Sequence, residues 1–457
     1  LAARLLAGGA EGLTREEGVM DGTPPVAAPM AGSVADLPSD DAGRADPPTA
    51  RRDFRFLWGG QSLSLVGDQF MLVALPLLAV TTLGASVAQA ALLPFAFKLP
   101  FLVLGLPVGA IMDRLRRRPT MIVCDAVQVA TCLAIAVLAV VHLLPFWSLL
   151  ALVGVNGCAT VFFQISYTSY LPTLFAGERD LHRGNARLQL SESVSRSVGP
   201  MLAGPLMAVT GPVGAAFANS GSFTVSVLTL LGIRHREDRP HVAEREPGWM
   251  VREVREGIRF VVGHPLLEPV LFCGGVYVLF QSMVEAILVL YCGVVLHLGF
   301  AGIGLVVGVA ALGYPIGNLV SGRLVNRFGT VRTIVLGASV SVLGFAVMPV
   351  AGSAGSVAGL IAGSIIHGVG EGAFGPTWMT LRQTVTPPRL LGRANSVERF
   401  VLWGVVPLGS LLAAVTILVF GLPAAMWVGA LGTMLCLPPL LRRGVLRGIR
   451  RAETTLP

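Results

Sequence analysis

Twelve times between Phe56 and Leu441 the sequence runs apolar for one membrane's depth and then breaks. The runs cover roughly 56–82, 88–112, 120–142, 146–170, 188–209, 213–233, 266–292, 301–322, 332–350, 356–380, 396–419 and 424–441. A helix rises about 1.5 Å per residue, so about 20 apolar residues cross the hydrocarbon core of a bilayer. Lipid offers no partner to backbone N–H and C=O groups, and a helix pairs them within itself. The pattern predicts an all-α membrane protein of twelve transmembrane helices. Spans 5 and 7 fit least cleanly, because they carry charges.

Charged residues make up 13% of the chain, against roughly 25% in a soluble domain. The net charge of +8 does not point to nucleic acid, because the arginines fall in short clusters between apolar runs. All six cysteines lie inside apolar runs, which predicts reduced thiols rather than disulfides or a zinc site. No nucleotide loop, metal-ligand spacing or His-x-x-x-x-Asp pair appears. The chain is therefore expected to be no enzyme, with no catalytic residue, metal or cofactor.

Arginine placement predicts the topology. The joins after spans 1, 3, 5, 7, 9 and 11 ("LGASV", "HLLPF", "TGPVG", "LHLGFAG", "VAGSAGS", "GLPAA") hold no Lys, Arg, Asp or Glu. The alternate joins hold "DRLRRR", "GERDLHRGNAR", "RLVNRFGTVR" and "RQTVTPPRLLGR", and the tail reads "LRRGVLRGIRR". Every basic loop falls on one side, so both termini are expected in the cytoplasm. Residues 1–50 hold eight acids against three Arg and read as a disordered acidic tail. The opening "LAARLLAGGA" is too short for a signal-peptide apolar core with its flanks. A charged linker, 234–259, divides two six-helix halves, 51–233 and 260–442, and a basic tail follows at 443–457.

The halves repeat one another. "GAIMDRLRRRP" follows span 2 and "GRLVNRFGTVR" follows span 8. Asn185 opens span 5 as Asn395, 210 positions later, opens span 11. Two parallel repeats about a midplane site is a transporter architecture.

On these loops the chain resembles the major facilitator superfamily over about residues 51–445. The family's loop between helices 2 and 3 reads Gly-x-x-x-Asp-Arg-x-Gly-Arg-Arg. Here it is Gly109, Asp113, Arg114, Arg117 and Arg118, with Arg116 where the family usually has Gly. The second copy is Gly322, Asn326, Arg327, Gly329 and Arg332, with Asn in place of Asp. The resemblance implies a conformational latch built from Gly109, Asp113, Arg114, Arg117, Arg118, Asn326 and Arg327; the plainer reading is a positive-inside anchor. Span 5 carries Gly199-Pro200 and Gly204, similar to the Gly-Pro motif of the family's antiporters. Span 4 departs from the drug–proton antiporters, with Val153, Asn156 and Gly157 where they have an Arg followed by Gln and Gly. Segments such as "REGIRFVVGHPLL" and "PPRLLGRANS" resemble the subgroup of enterobactin (siderophore) exporters and drug-efflux proteins.

Polar residues inside the runs mark candidate sites, since a charge at the bilayer centre costs at least about 2.5–3.5 kcal/mol. Span 1 has Gln61, Ser64 and Asp68; span 4 has Asn156, Thr160 and Gln164; span 7 has Tyr277, Gln281 and Glu285; span 10 has His367 and Glu371. Spacings of three and four put each set on one helix face. One such stripe can be interhelical glue. The family resemblance implies that helices 1, 4, 7 and 10 line a central cavity, where four stripes would form a polar site. Glu371 is a proton-carrier candidate, with His367 one turn away to share the proton. Glu285 reads as nearer the outer end of its helix and simply hydrated. Arg196 in span 5 either snorkels to the edge or binds an anionic substrate.

The chain's single lysine, Lys98, lies within "PFAFKLPF". It falls fifteen residues before Asp113, about 22 Å from the arginine-rich edge if helical, and Asp68 falls thirteen after Arg55, about 20 Å from that edge. Equal depth on neighbouring helices predicts an intramembrane ion pair, either structural or a proton-sensitive switch. The whole reads as a multi-pass transporter of the bacterial cytoplasmic membrane, working as a monomer. It is expected to export a small amphipathic or hydrophobic molecule by proton antiport, the proton gradient being the only energy source. An importer or uniporter, or a non-transporting sensor, is the alternative.

Overall fold

The computed structural model describes residues 50–112, 115–175, 177–235, 237, 249–264 and 267–441. Among them eleven helices are long and apolar enough to cross a membrane, and no strand occurs. The longest of the eleven, Glu178–Gly232, is two helices joined at Gly211, where φ is 69° and ψ 174°. That backbone suits glycine alone, and Pro212 follows it. Gly421, 210 positions later, makes the same one-residue join (φ 84°, ψ 169°). The twelve predicted spans are thus present, and the repeat extends to the backbone of its turns.

In the first half α1 is Ala50–Thr81, α2 Leu93–Met112, α3 Arg117–Val140 and α4 Phe146–Leu174. Then come α5 (178–210) and α6 (212–232). In the second half α7 is Leu267–Val294, α8 Phe300–Phe328, α9 Thr330–Ser353, α10 Val357–Val385, α11 Pro388–Phe420 and α12 Leu422–Leu440. Spans 2 and 8 are interrupted after Ala90 and after Ala310. Pro94 and Pro315 lie just beyond, and each lacks the N–H that the carbonyl four residues earlier needs. Helices α1, α5 and α11 start before their apolar runs, because arginine and glutamate continue a helix into water without penalty. The helix Trp249–Gly263 begins inside the predicted linker and packs on α11.

The halves meet through three helix pairs. The closest is α5 on α8: a side chain at Gly304 would overlap the Pro200 carbonyl, and one at Gly308 would press on Met201 and the Ser197 carbonyl. Gly204 lies as close to Phe300 and Ala301. At the same charge-free end Leu77 of α1 approaches Gly293 of α7, and the turn Val87–Ala90 packs on α11. Near mid-depth Phe101 of α2 stacks on Trp403 of α11, ring centroids 5.5 Å apart. Among the described residues the ion pairs at the arginine-rich end stay within one half. The molecule is therefore closed at its charge-free end.

Candidate substrate and proton site

The α7 and α10 stripes meet, and α9 supplies Ser341, which the sequence did not single out. Gln281 Nε2 donates to Glu285 Oε1 at 3.0 Å and to Glu371 Oε1 at 3.1 Å. Glu371 Oε2 lies 3.5 Å from His367 Nε2. His367 Nδ1 meets Ser341 Oγ at 2.8 Å and the Tyr277 hydroxyl at 3.3 Å, and those two hydroxyls are 2.6 Å apart. Phe345 covers the imidazole, ring centroids 3.9 Å apart. A continuous polar chain thus runs from Tyr277 and Ser341 through His367, Glu371 and Gln281 to Glu285. Serine is common in membrane helices, so nothing in "GASVSVLGF" marked Ser341. Glu285, expected at a hydrated outer end, instead closes this chain, and its side chain is exposed to the space between the halves.

Lys98 and Arg196 of the first half face that chain. Asp68 and Lys98 form no ion pair in this conformation. Glu285 of the other half and Asp68 both attract Lys98, and Arg196 opposes them. The ammonium sits over aromatic faces, 5.2 Å from the Phe97 and Phe101 rings and 5.8 Å from Trp403. A cation over such faces is attracted by the ring quadrupole. The depth argument was silent on azimuth, and azimuth turns Lys98 toward α11. Arg196 pairs with Glu192 at 2.8 Å and is exposed. Beyond Glu192, its charge acts on Glu285 and Glu371.

The first-half stripes are used differently. Asn156 Nδ2 donates to Thr131 Oγ1 at 2.9 Å, and Thr160 accepts from Gln128 Nε2 at 2.9 Å. Both partners are on α3, so these two residues bind α3 to α4 rather than line the cavity as expected. Gln164 is exposed. Ser64 is buried and donates to its own helix at the Gln61 carbonyl, while Gln61 Oε1 is buried without a partner. Asp68 lies near Asn219 of α6. Asp125 of α3 is fully buried beside Ser226 of α6. Like Asp68, Asp125 in "MIVCDAVQV" is an acid within an apolar run, the signal by which the sequence marks it.

Of the latch candidates, Asp113 and Arg114 lie outside the described residues, and Gly109 lies within α2. Arg118 holds the end of α6, donating to the Leu230 and Leu231 carbonyls at 3.0 Å each. Those are helix C-terminal acceptors, which favour a cation. Glu237 accepts the Arg118 backbone N–H at 3.1 Å and lies 3.8 Å from Arg117. Buried Asp53 of α1 accepts backbone N–H groups of Arg234 and His235. These contacts bind α1, α3 and α6 of one half. Asn326 and Arg327 are exposed. In the second half Arg382 of α10 pairs with Glu398 of α11.

Twelve helices in two matched halves, with opposed charges across the space between them, define a secondary transporter. Residues 45–446 match the family described as transmembrane secretion effector, and the chain belongs to that family of the major facilitator superfamily. It is 23% identical to macrolide efflux protein A of Streptococcus pyogenes, over 79% of this chain and 88% of that one. It is 26% identical to the multidrug efflux pump Tap of Mycolicibacterium fortuitum, over 83% and 91%. Its fold matches a bacterial homologue of the iron transporter ferroportin in its inward-facing state (TM-score 0.70, 18% identity, 86% of this chain and 99% of that one). The protein is a multi-pass membrane transporter, not an enzyme.

Proposed function

We propose that the protein exports a small amphipathic or hydrophobic molecule from the cytoplasm by alternating access, in exchange for protons. The observation that carries this reading is the chain Glu285–Gln281–Glu371–His367 facing Lys98 and Arg196 across the halves. Two carboxylates share one amide, and both charged they repel; one proton on the pair relieves that repulsion. Lys98 and Arg196 attract the charged form across the gap and so draw the halves together around it. Proton arrival loosens that attraction, and the halves part. Substrate enters from the arginine-rich end, which is the cytoplasmic one in this reading, and the stacked Phe101 and Trp403 offer it an apolar wall. A single chain suffices, and the proton gradient is the only energy source. The similarity to two efflux proteins supports the outward direction.

The test is flux in proteoliposomes with an imposed pH gradient and a panel of amphipathic fluorescent compounds. Accumulation that follows the gradient and collapses with a protonophore is expected. Flux that ignores the gradient would remove the proton from the mechanism.

A further inference from the structure

A cavity of about 470 Å³ lies at the arginine-rich end, between the start of α1 and the start of α5. Arg51 and Arg55 reach it from one face of α1, and Arg183 and Arg187 from one face of α5. Phe54 and Phe175, ring centroids 5.3 Å apart, line it beneath the charges. Above it the α1–α5 seam is tied shut: Ser191 Oγ accepts from Trp58 Nε1 and from Ser62 Oγ, each at 2.9 Å. Asp180 is the single acid lining it among the described residues, and Arg183 lies 3.4 Å from its Oδ1. Arg55 turns its Nε to the Arg51 carbonyl at 3.4 Å. Arg51 and Arg187 have no carboxylate partner among the described residues.

We propose that this cavity binds a phosphate group, presented by an acidic phospholipid of the adjoining leaflet. Planar guanidinium groups match phosphate oxygens two at a time, which an ammonium does not. Four of them against one carboxylate among the described residues leave net positive charge that favours an anion. The two phenyl rings supply the apolar surface that the glycerol end of a lipid needs. The cavity sits where the apolar run of α1 begins, the level at which headgroups lie. Basic pockets between helices on this side of a membrane take such headgroups. The site is separate from the central chain and stands whether or not the protein couples to protons.

Native mass spectrometry of the full chain, released from nanodiscs of mixed phosphatidylglycerol and phosphatidylcholine, tests this. The wild type is expected to retain phosphatidylglycerol preferentially. Arg51→Gln with Arg187→Gln should lower that retention about tenfold, while Arg323→Gln, at the same end but outside the cavity, should not. Asp180→Asn frees Arg183 and should raise retention, a gain that misfolding cannot mimic. Equal retention of the two lipids by the wild type, or no change in the cavity variants, overturns the proposal. Displacement of the lipid by millimolar glycerol phosphate as readily as by short-chain phosphatidylglycerol would overturn the lipid as source.

Discussion

Helices α4 and α10 occupy matching places in the two halves, and each carries a polar pair one turn apart. Asn156 and Thr160 of α4 spend their hydrogen bonds on α3. His367 and Glu371 of α10 reach α7 and α9 and stand opposite the other half's cations. Spacing is the same in both, so spacing does not decide. Chemistry does: an amide and a hydroxyl are satisfied by one neutral neighbour each, and packing can absorb them. A carboxylate needs a counter-charge or water as well, and Glu371 finds the charge of Arg196 in the other half.

The largest expected effect tests the charged stripe. Glu371→Gln, and separately Glu285→Gln, should reduce gradient-driven transport to the level of protein-free liposomes while thermal stability stays close to wild type. Transport by both variants at normal rates would erase the distinction between the stripes.

Next, a charge can be put on the neutral stripe. Asn156→Asp places a carboxylate against Thr131 and Cys132, where nothing pairs it. The cost should approach the roughly 2.5–3.5 kcal/mol of insertion scales, read as lower yield and melting temperature. A variant as stable as the wild type would mean that α4 faces water after all.

A double-mutant cycle then separates two partners for Lys98. Lys98→Met combined with Glu285→Gln should show a coupling of about 1–2 kcal/mol in thermal unfolding, and Lys98→Met with Asp68→Asn less. The reverse order would restore Asp68 as the main partner and make the charge pairing internal to one half.

The smallest effect belongs to the neutral stripe itself. Asn156→Leu and Thr160→Val should each cost about 0.6 kcal/mol, the mean for interhelical hydrogen bonds in membranes, with efflux retained. Loss of efflux from a folded Asn156→Leu protein would put that residue on the transport path.

These contrasts also show what the chain discloses unaided. Span number, their order and the two-half repeat were legible, because lipid imposes one length and one polarity on every span. The sidedness expected from arginine placement is open to a labelling test: cysteines in "TGPVG" should react from outside, and those in "RQTVTPPRLLGR" should not. The residues of the α7–α10 chain stood out because each stripe placed polar groups at one-turn spacing, with Glu285, His367 and Glu371 ionisable. What periodicity cannot supply is which neighbour a stripe faces. Residue counting set Lys98 beside Asp68 in depth, but no ion pair joins them here, and spacing did not disclose that Asn156 bonds to α3. The Arg118 clamp on α6 was hidden for another reason: its acceptors are backbone carbonyls 112 and 113 positions away, and carbonyls leave no trace in a sequence.

The closed end of the molecule has a kinetic consequence. Where Gly304 lies on Pro200 and Gly204 of α5, main chain rests almost directly on main chain. Two interlocked sets of branched side chains must change rotamers before they separate. Two bare backbones have no rotamers to change. Parting them forfeits only weak dispersion contacts, each of about 0.1–0.2 kcal/mol, and these fall away together over a short displacement. Such a seam behaves as a dry sliding bearing rather than a lock: friction is low, and the timing of opening is left to whatever happens among the charges below it.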